Sequence, residues 1–185
     1  MILIEPTTEK KFGRAALRKR AMAAFLRQAA QAAELKGGIS VLLTGDEEMR
    51  RLNREFRQKD KATDVLSFPA LHMNGGEHLA GDLAISVETA AREAEQREHS
   101  LELELKILLL HGVLHLAGWD HETDSGEMAE KEESLRRQLG LEQGLIHRAQ
   151  STGRRAQIPT LRQLRAKDGA PRSGHREQAG RSAKR

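Results

Sequence analysis

Two hydrophobic periods run along the chain, and the changes between them mark its elements. Residues 2–5, Ile-Leu-Ile-Glu, read as a short edge strand. Residues 9–35 are rich in Ala, Leu, Arg and Lys without proline, which predicts one helix with Leu17, Met22, Phe25, Leu26 and Ala29 on its apolar face. Gly37-Gly38 breaks it, and residues 39–43 read as a buried strand. A helix over 46–56 places Met49, Leu52 and Phe56 on one side. Residues 65–68 form a strand stopped by Pro69, Asn74-Gly75-Gly76 marks a loop, and residues 83–86 form a strand whose Ser86 caps a helix over 87–98. Residues 101–117 carry Leu101, Leu105, Leu108 and Leu109, the pattern of a central buried helix, and Gly118 ends it. Asp124 with Glu127 resembles a capping box that opens a helix over 125–139, which Gly140 closes. The expected fold class is α+β: one small mixed sheet of about four strands packed with five or six helices.

After residue 149 the periodicity decays. Residues 151–185 are rich in Arg, Gly, Ser and Gln, and are expected to be a disordered basic tail on a folded domain spanning 1–150. Charge divides at the same place. The tail holds ten Lys/Arg and two Asp/Glu, net +8, while residues 1–150 hold 21 basic and 25 acidic residues, net −4. Lys10, Lys11, Arg14, Arg18, Lys19 and Arg20 make the first helix basic, either as a solvated face or as a surface for nucleic-acid phosphates. With no cysteine, disulfides, iron–sulfur clusters and thiolate zinc sites are excluded, so any metal must rest on His, Asp or Glu. The longest apolar run, 107–110, is far too short to span a bilayer, and no secretion signal is visible. The expected setting is cytoplasmic, without a membrane partner.

The chemistry concentrates in one segment, His111-Gly112-Val113-Leu114-His115-Leu116-Ala117-Gly118-Trp119-Asp120-His121. Two histidines four apart project from one helix face, the spacing that lets two imidazoles meet one ion. A third ligand on the same ridge would not complete a tripod. Gly118 allows the chain to turn and bring His121 back. The spacing is similar to that of the metzincin proteases, H-E-x-x-H-x-x-G-x-x-H, with Gly112 where the protease carries its glutamate base. Three neutral imidazoles leave a divalent ion its full charge and an open position, the catalytic form of such a site. Asp120 is placed either to orient a ligand imidazole or to cap the turn. The sequence does not fix zinc over nickel or manganese, since imidazole suits several metals.

A second segment, Asn53-Arg54-Glu55-Phe56-Arg57-Gln58-Lys59-Asp60-Lys61-Ala62-Thr63-Asp64-Val65-Leu66-Ser67-Phe68-Pro69, reads by itself as a helix end, a charged loop and a strand. Taken with Gly81-Asp82-Leu83-Ala84-Ile85-Ser86, with 111–121, and with Met128 and Glu132 in the last helix, it makes the chain resemble the YbeY family of bacterial endoribonucleases, the rRNA maturation factors. The resemblance runs over roughly residues 2–145 and leaves the tail uncovered. It implies a single-strand-specific, metal-dependent endoribonuclease acting in 16S rRNA 3′-end maturation and ribosome quality control. The implied partners are single-stranded RNA, the small ribosomal subunit and assembly GTPases. The family's zinc-binding histidines fall on His111, His115 and His121, one Zn2+ per chain, and its functional arginine falls on Arg57. Trp119 stands where the family usually has tyrosine. Arg57 is expected to bind the scissile phosphate with a planar fork of donors. Two other readings are a metal-dependent hydrolase of another substrate, such as a peptide, and a non-catalytic ribosome-assembly factor with a structural metal.

Overall fold

The computed structural model describes residues 1–70, 79–120 and 124–141. The expected loop at Asn74-Gly75-Gly76, the third histidine His121 and the tail 151–185 lie outside the described residues.

Strand β1 (Ile2–Ile4) leads into helix α1 (Pro6–Phe12), the single turn α2 (Arg14–Leu17) and helix α3 (Lys19–Ala32). One continuous helix over 9–35 is therefore a wrong expectation. The chain breaks at Gly13 (φ 79°) and again at Arg18 (φ 39°), both in the left-handed region. Burial overrides helix propensity here. Thr8 on α1, Leu17 on α2, and Met22, Phe25, Leu26 and Ala29 on α3 are all buried, and the two turns let three short faces reach the core.

Next come strand β2 (Gly38–Thr44), helix α4 (Asp46–Arg57), strands β3 (Val65–Pro69) and β4 (Leu79–Ser86), and helices α5 (Val87–Gln96), α6 (Leu101–Leu116) and α7 (Glu127–Gln138). The described residues thus hold seven helical segments rather than five or six, the surplus coming from the divided first helix. Ser86 caps α5 as expected, its hydroxyl accepting from the Thr89 N–H at 3.1 Å. The Asp124 carboxylate accepts from the Gly126 and Met128 N–H groups at 3.0 and 2.7 Å and opens α7.

The four strands form one mixed sheet in the order β1-β2-β4-β3. β1 runs parallel to β2 and β2 parallel to β4, while β3 pairs antiparallel with β4 and forms the far edge. Pro69 lies inside β3, opposite Gly81, where an edge strand tolerates it. Side chains alternate between two faces. Val41, Leu43, Leu83 and Ile85 belong to the main core, whereas Leu42, Leu66, Phe68 and Ala84 gather with Met49 and Leu52 of α4. Phe56, the third apolar residue of α4, stays 58% exposed and meets Phe68 edge-on at 5.1 Å.

Helix α6 crosses the main-core face over β3 and β4, flanked by α3, α5 and α7. Its leucines explain the position: Leu105, Leu108, Leu109, Leu110 and Leu114 are all buried. The buried Glu104 accepts from Arg97 at 2.8 Å and lies 2.6 Å from His99 Nε2, which ties the α5–α6 connection to the helix. At Gly81 a Cβ would stand 2.3 Å from the Phe68 carbonyl oxygen and 2.7 Å from Leu116 Cδ2, so the approach of α6 to the β3–β4 pair requires glycine there.

Candidate active site

The last turn of α4 and the last turns of α6 face each other across a cleft of about 570 Å3 at the β3 edge. Arg57, Lys59 and Lys61 line one side, His111 and His115 the other, with Ser67 of β3 between them.

The basic side is organised by a residue whose role the sequence did not disclose. Asn53 is 2% exposed, on the same face of α4 as Met49. Its carbonyl accepts the N–H groups of Gln58 and, at 3.2 Å, Lys59, while its side-chain amide donates to the Lys61 carbonyl at 2.8 Å. Gln58 takes a left-handed conformation (φ 58°) and ends the helix. These bonds fix the loop that carries Arg57, Lys59 and Lys61. None of the three forms an ion pair among the described residues, whereas Arg50, Arg51 and Arg54 on the preceding turns pair with Asp60, with Glu48 and Glu55, and with Asp60 respectively. Asp64 closes the loop. Its carboxylate accepts from the Val65 N–H at 2.9 Å, and its carbonyl accepts from the Ser86 N–H at 2.8 Å.

On the opposite wall the i, i+4 spacing does what its periodicity implies. The two rings meet edge-on with centroids 4.7 Å apart, and Nε2 of His115 lies 3.1 Å from Nε2 of His111. Two nitrogens bound to one tetrahedral ion at about 2.0–2.1 Å stand about 3.3 Å apart, so this donor pair fits such an ion. Gly118 (φ 91°) donates its N–H to the His115 carbonyl at 3.0 Å and turns the chain, and Gly118, Trp119 and Asp120 continue the cleft wall. The proposed tripod thus has two members in the cleft, and no group of three potential ligands meets among the described residues. Trp119 is half-buried, packed against the main core while bordering the cleft.

Behind the pair stands Glu132 of α7. Its Oε2 lies 2.8 Å from Nδ1 of His111, and its Oε1 is paired with Arg136. Burial pushes the Glu132 carboxyl up, but the hydrogen bond from His111 and the charge of Arg136 outweigh burial and hold it below the usual carboxylate range. Gly112 is accounted for as well. A Cβ there would stand 2.8 Å from Leu83 Cδ2, so this face of α6 rests directly on β4. The position at which the metzincin proteases keep their glutamate base is closed by the sheet.

The family pattern of endoribonuclease YbeY matches residues 4–140, which takes in both walls of the cleft. The chain belongs to the endoribonuclease YbeY family. Endoribonuclease YbeY of Koribacter versatilis is 50% identical over 142 residues, covering 77% of this chain and 91% of the relative. That of Anaeromyxobacter dehalogenans is 39% identical with full coverage of both chains. The solution structure of a Thermotoga maritima protein superposes with a TM-score of 0.53 at 27% identity, covering 84% of this chain and all of that one. Among the described residues no helix is long and apolar enough to cross a membrane.

Proposed function

We propose that this YbeY-family chain is a metal-dependent endoribonuclease that cuts single-stranded RNA in the cleft between Arg57 and the His111–His115 pair. One observation carries the reading: two imidazole nitrogens 3.1 Å apart line the same cleft as Arg57, Lys59 and Lys61, which have no ion-pair partner among the described residues. His111 and His115, with His121 as the third ligand, would hold one zinc ion, and the same nitrogens would accept another divalent transition metal. When bound, the metal supplies a Lewis acid beside a phosphoryl oxygen.

The remaining work falls to the side chains. Arg57 binds non-bridging oxygens of the scissile phosphate with two parallel donors and stabilises the charge that grows there. Lys59 and Lys61 attract the flanking phosphates. A flexible strand bends its backbone into a cleft more readily than a duplex, which supports single-strand preference. Through the family resemblance the substrate is 16S rRNA near its 3′ end. The setting is cytoplasmic, on the small subunit with its proteins and assembly GTPases, in maturation and quality control. The tail 151–185, at net +8, would add sequence-independent, salt-sensitive RNA affinity. The packing of Gly112 on Leu83 disfavours the peptidase reading, since the protease base has no room.

The test is metal analysis and RNA-product mapping on wild type beside His115→Ala, with casein as a second substrate. The expected result is one metal per wild-type chain, cleaved single-stranded RNA and intact casein. His115→Ala should lose both metal and cleavage. Cleavage by His115→Ala at the wild-type rate would overturn the assignment, and a metal-loaded wild type that leaves RNA intact would favour a structural ion.

A further inference from the structure

Glu132 of α7, paired with Arg136, reaches a histidine of the cleft. Met128 and Leu135 are buried at 1% and 3% exposure, and with Glu132 between them they form an i, i+4, i+7 stripe facing α6. The Glu132 side chain is only 12% exposed on this stripe. A carboxylate has no hydrogen to donate, so the 2.8 Å contact with His111 requires the proton to sit on Nδ1 of the imidazole. In the neutral imidazole Nε2 of His111 is then the acceptor nitrogen, and Nε2 is the nitrogen that lies 3.1 Å from Nε2 of His115. Arg136 holds the other carboxylate oxygen from the next turn of the same helix, which prevents Glu132 from rotating away.

We infer that Glu132, held by Arg136, is the positioning residue that fixes the His111 tautomer and ring orientation so that Nε2 is presented to a metal ion. The inference rests on the metal centre proposed above and adds α7 to it. It gives α7 a task beyond packing: the helix carries the carboxylate that makes one ligand a better donor. Carboxylate partners of this kind set ligand basicity as well as orientation. Removing one therefore weakens metal binding without removing a ligand.

Two measurements test it, the His111 tautomer and zinc affinity. Nitrogen-15 shifts of the imidazoles in the metal-free protein at alkaline pH should show His111 protonated on Nδ1 in wild type. In Glu132→Ala they should show a shift toward the Nε2 form that predominates in water. Zinc affinity by chelator competition should fall about 10–100-fold in Glu132→Ala, with excess zinc restoring cleavage. Glu132→Gln keeps an acceptor of the same size and loses the charge. It should hold the Nδ1 tautomer and lose affinity by about tenfold or less, and it carries the test if the alanine variant does not fold. Folded Glu132 variants that bind zinc as tightly as wild type, with the His111 tautomer unchanged, would overturn the inference. A wild-type chain that binds no stoichiometric zinc would overturn the metal centre itself and this inference with it.

Discussion

Two charged cavities among the described residues are built on opposite principles. The larger, about 740 Å3, lies between α1, the first turns of α4 and the start of α5, and the smaller, about 570 Å3, is the histidine cleft at the far end of α4. In the larger cavity every basic side chain is neutralised: Lys11 by Glu88, Arg50 and Arg54 by Asp60, and Arg51 by Glu48 and Glu55. In the cleft, Arg57, Lys59 and Lys61 have no ion-pair partner among the described residues. Helix α4 contributes to both, Arg50, Arg51 and Arg54 to the first and Arg57 to the second. Cavity volume singles out the paired end of α4, while the state of the charges singles out the cleft. Cations already closed in ion pairs have less to gain from an anion than cations without an ion-pair partner.

This contrast breaks most sharply on two arginines of α4. Arg57→Ala should cut single-stranded RNA cleavage by about 10²–10³, the usual cost of removing one preorganised donor from a developing oxyanion. Its metal content should stay at the wild-type level, because Arg57 lies on the wall opposite the histidines. Arg51→Ala removes an arginine whose partners are Glu48 and Glu55, and should leave the rate within about twofold, as expected for an exposed ion pair away from the chemistry. Cleavage rates on one RNA, measured with matched metal loading, compare the two. Equal losses would mean that pairing state does not distinguish the cavities.

A second, smaller effect sharpens the claim that rigidity matters. Asn53→Ala removes the donor to the Lys61 carbonyl, at a cost of about 1 kcal/mol in stability. The loop then loses its hold on Arg57. A displacement of about 1 Å at a phosphate-binding group costs about 10–10²-fold in rate. Hydrogen exchange should quicken at residues 58–61 and stay slow in α6. A fast-exchanging loop with wild-type turnover would separate loop order from function.

Much of this was legible in the sequence, and what was not has identifiable causes. The strands are legible as short apolar runs set off by breakers such as Gly37-Gly38 and Pro69, and the α6 histidines announce themselves because i, i+4 is a local relation. Neither the breaks at Gly13 and Arg18 nor the meeting of Arg57 with His111 is local. The first break follows from where Thr8 and Leu17 must be buried, and the cleft exists only once β3 pairs antiparallel with β4 and α6 crosses both. Asn53 and Glu132 share a signal that was present but unread. Each is a polar residue on the apolar stripe of its helix, Asn53 beside Met49 and Glu132 between Met128 and Leu135. Such residues are retained at a desolvation cost, and here each makes hydrogen bonds that hold a cleft wall in place. Gly112 records the opposite constraint, a position closed by Leu83 rather than left free for a base.

The paired end of α4 should show itself in stability and the unpaired end in activity, and Asp46 is where the first half of that statement is most exposed to failure. Its backbone N–H donates to Glu88, and its carboxylate accepts from Thr89 at 2.8 Å and Arg92 at 2.7 Å and also from Ser86, which joins the start of α4 to the start of α5. Burial pushes the Asp46 carboxyl up, but the bonds from Arg92, Ser86 and Thr89 outweigh it and hold the group below its ordinary value. A carboxyl depressed on folding adds stability that is complete above its unfolded pKa, about 3.9, and is lost as pH falls through the lower folded value. Asp46→Asn should therefore cost about 1 kcal/mol near neutral pH, shrinking toward zero in strong acid, with cleavage unchanged. Urea melts of both proteins across that range measure the difference. A gap that stays constant with pH would show that the α4–α5 junction is held by hydrogen bonding alone and not by the charge of Asp46. A loss of cleavage in the folded variant would show that the two ends of α4 are not independent.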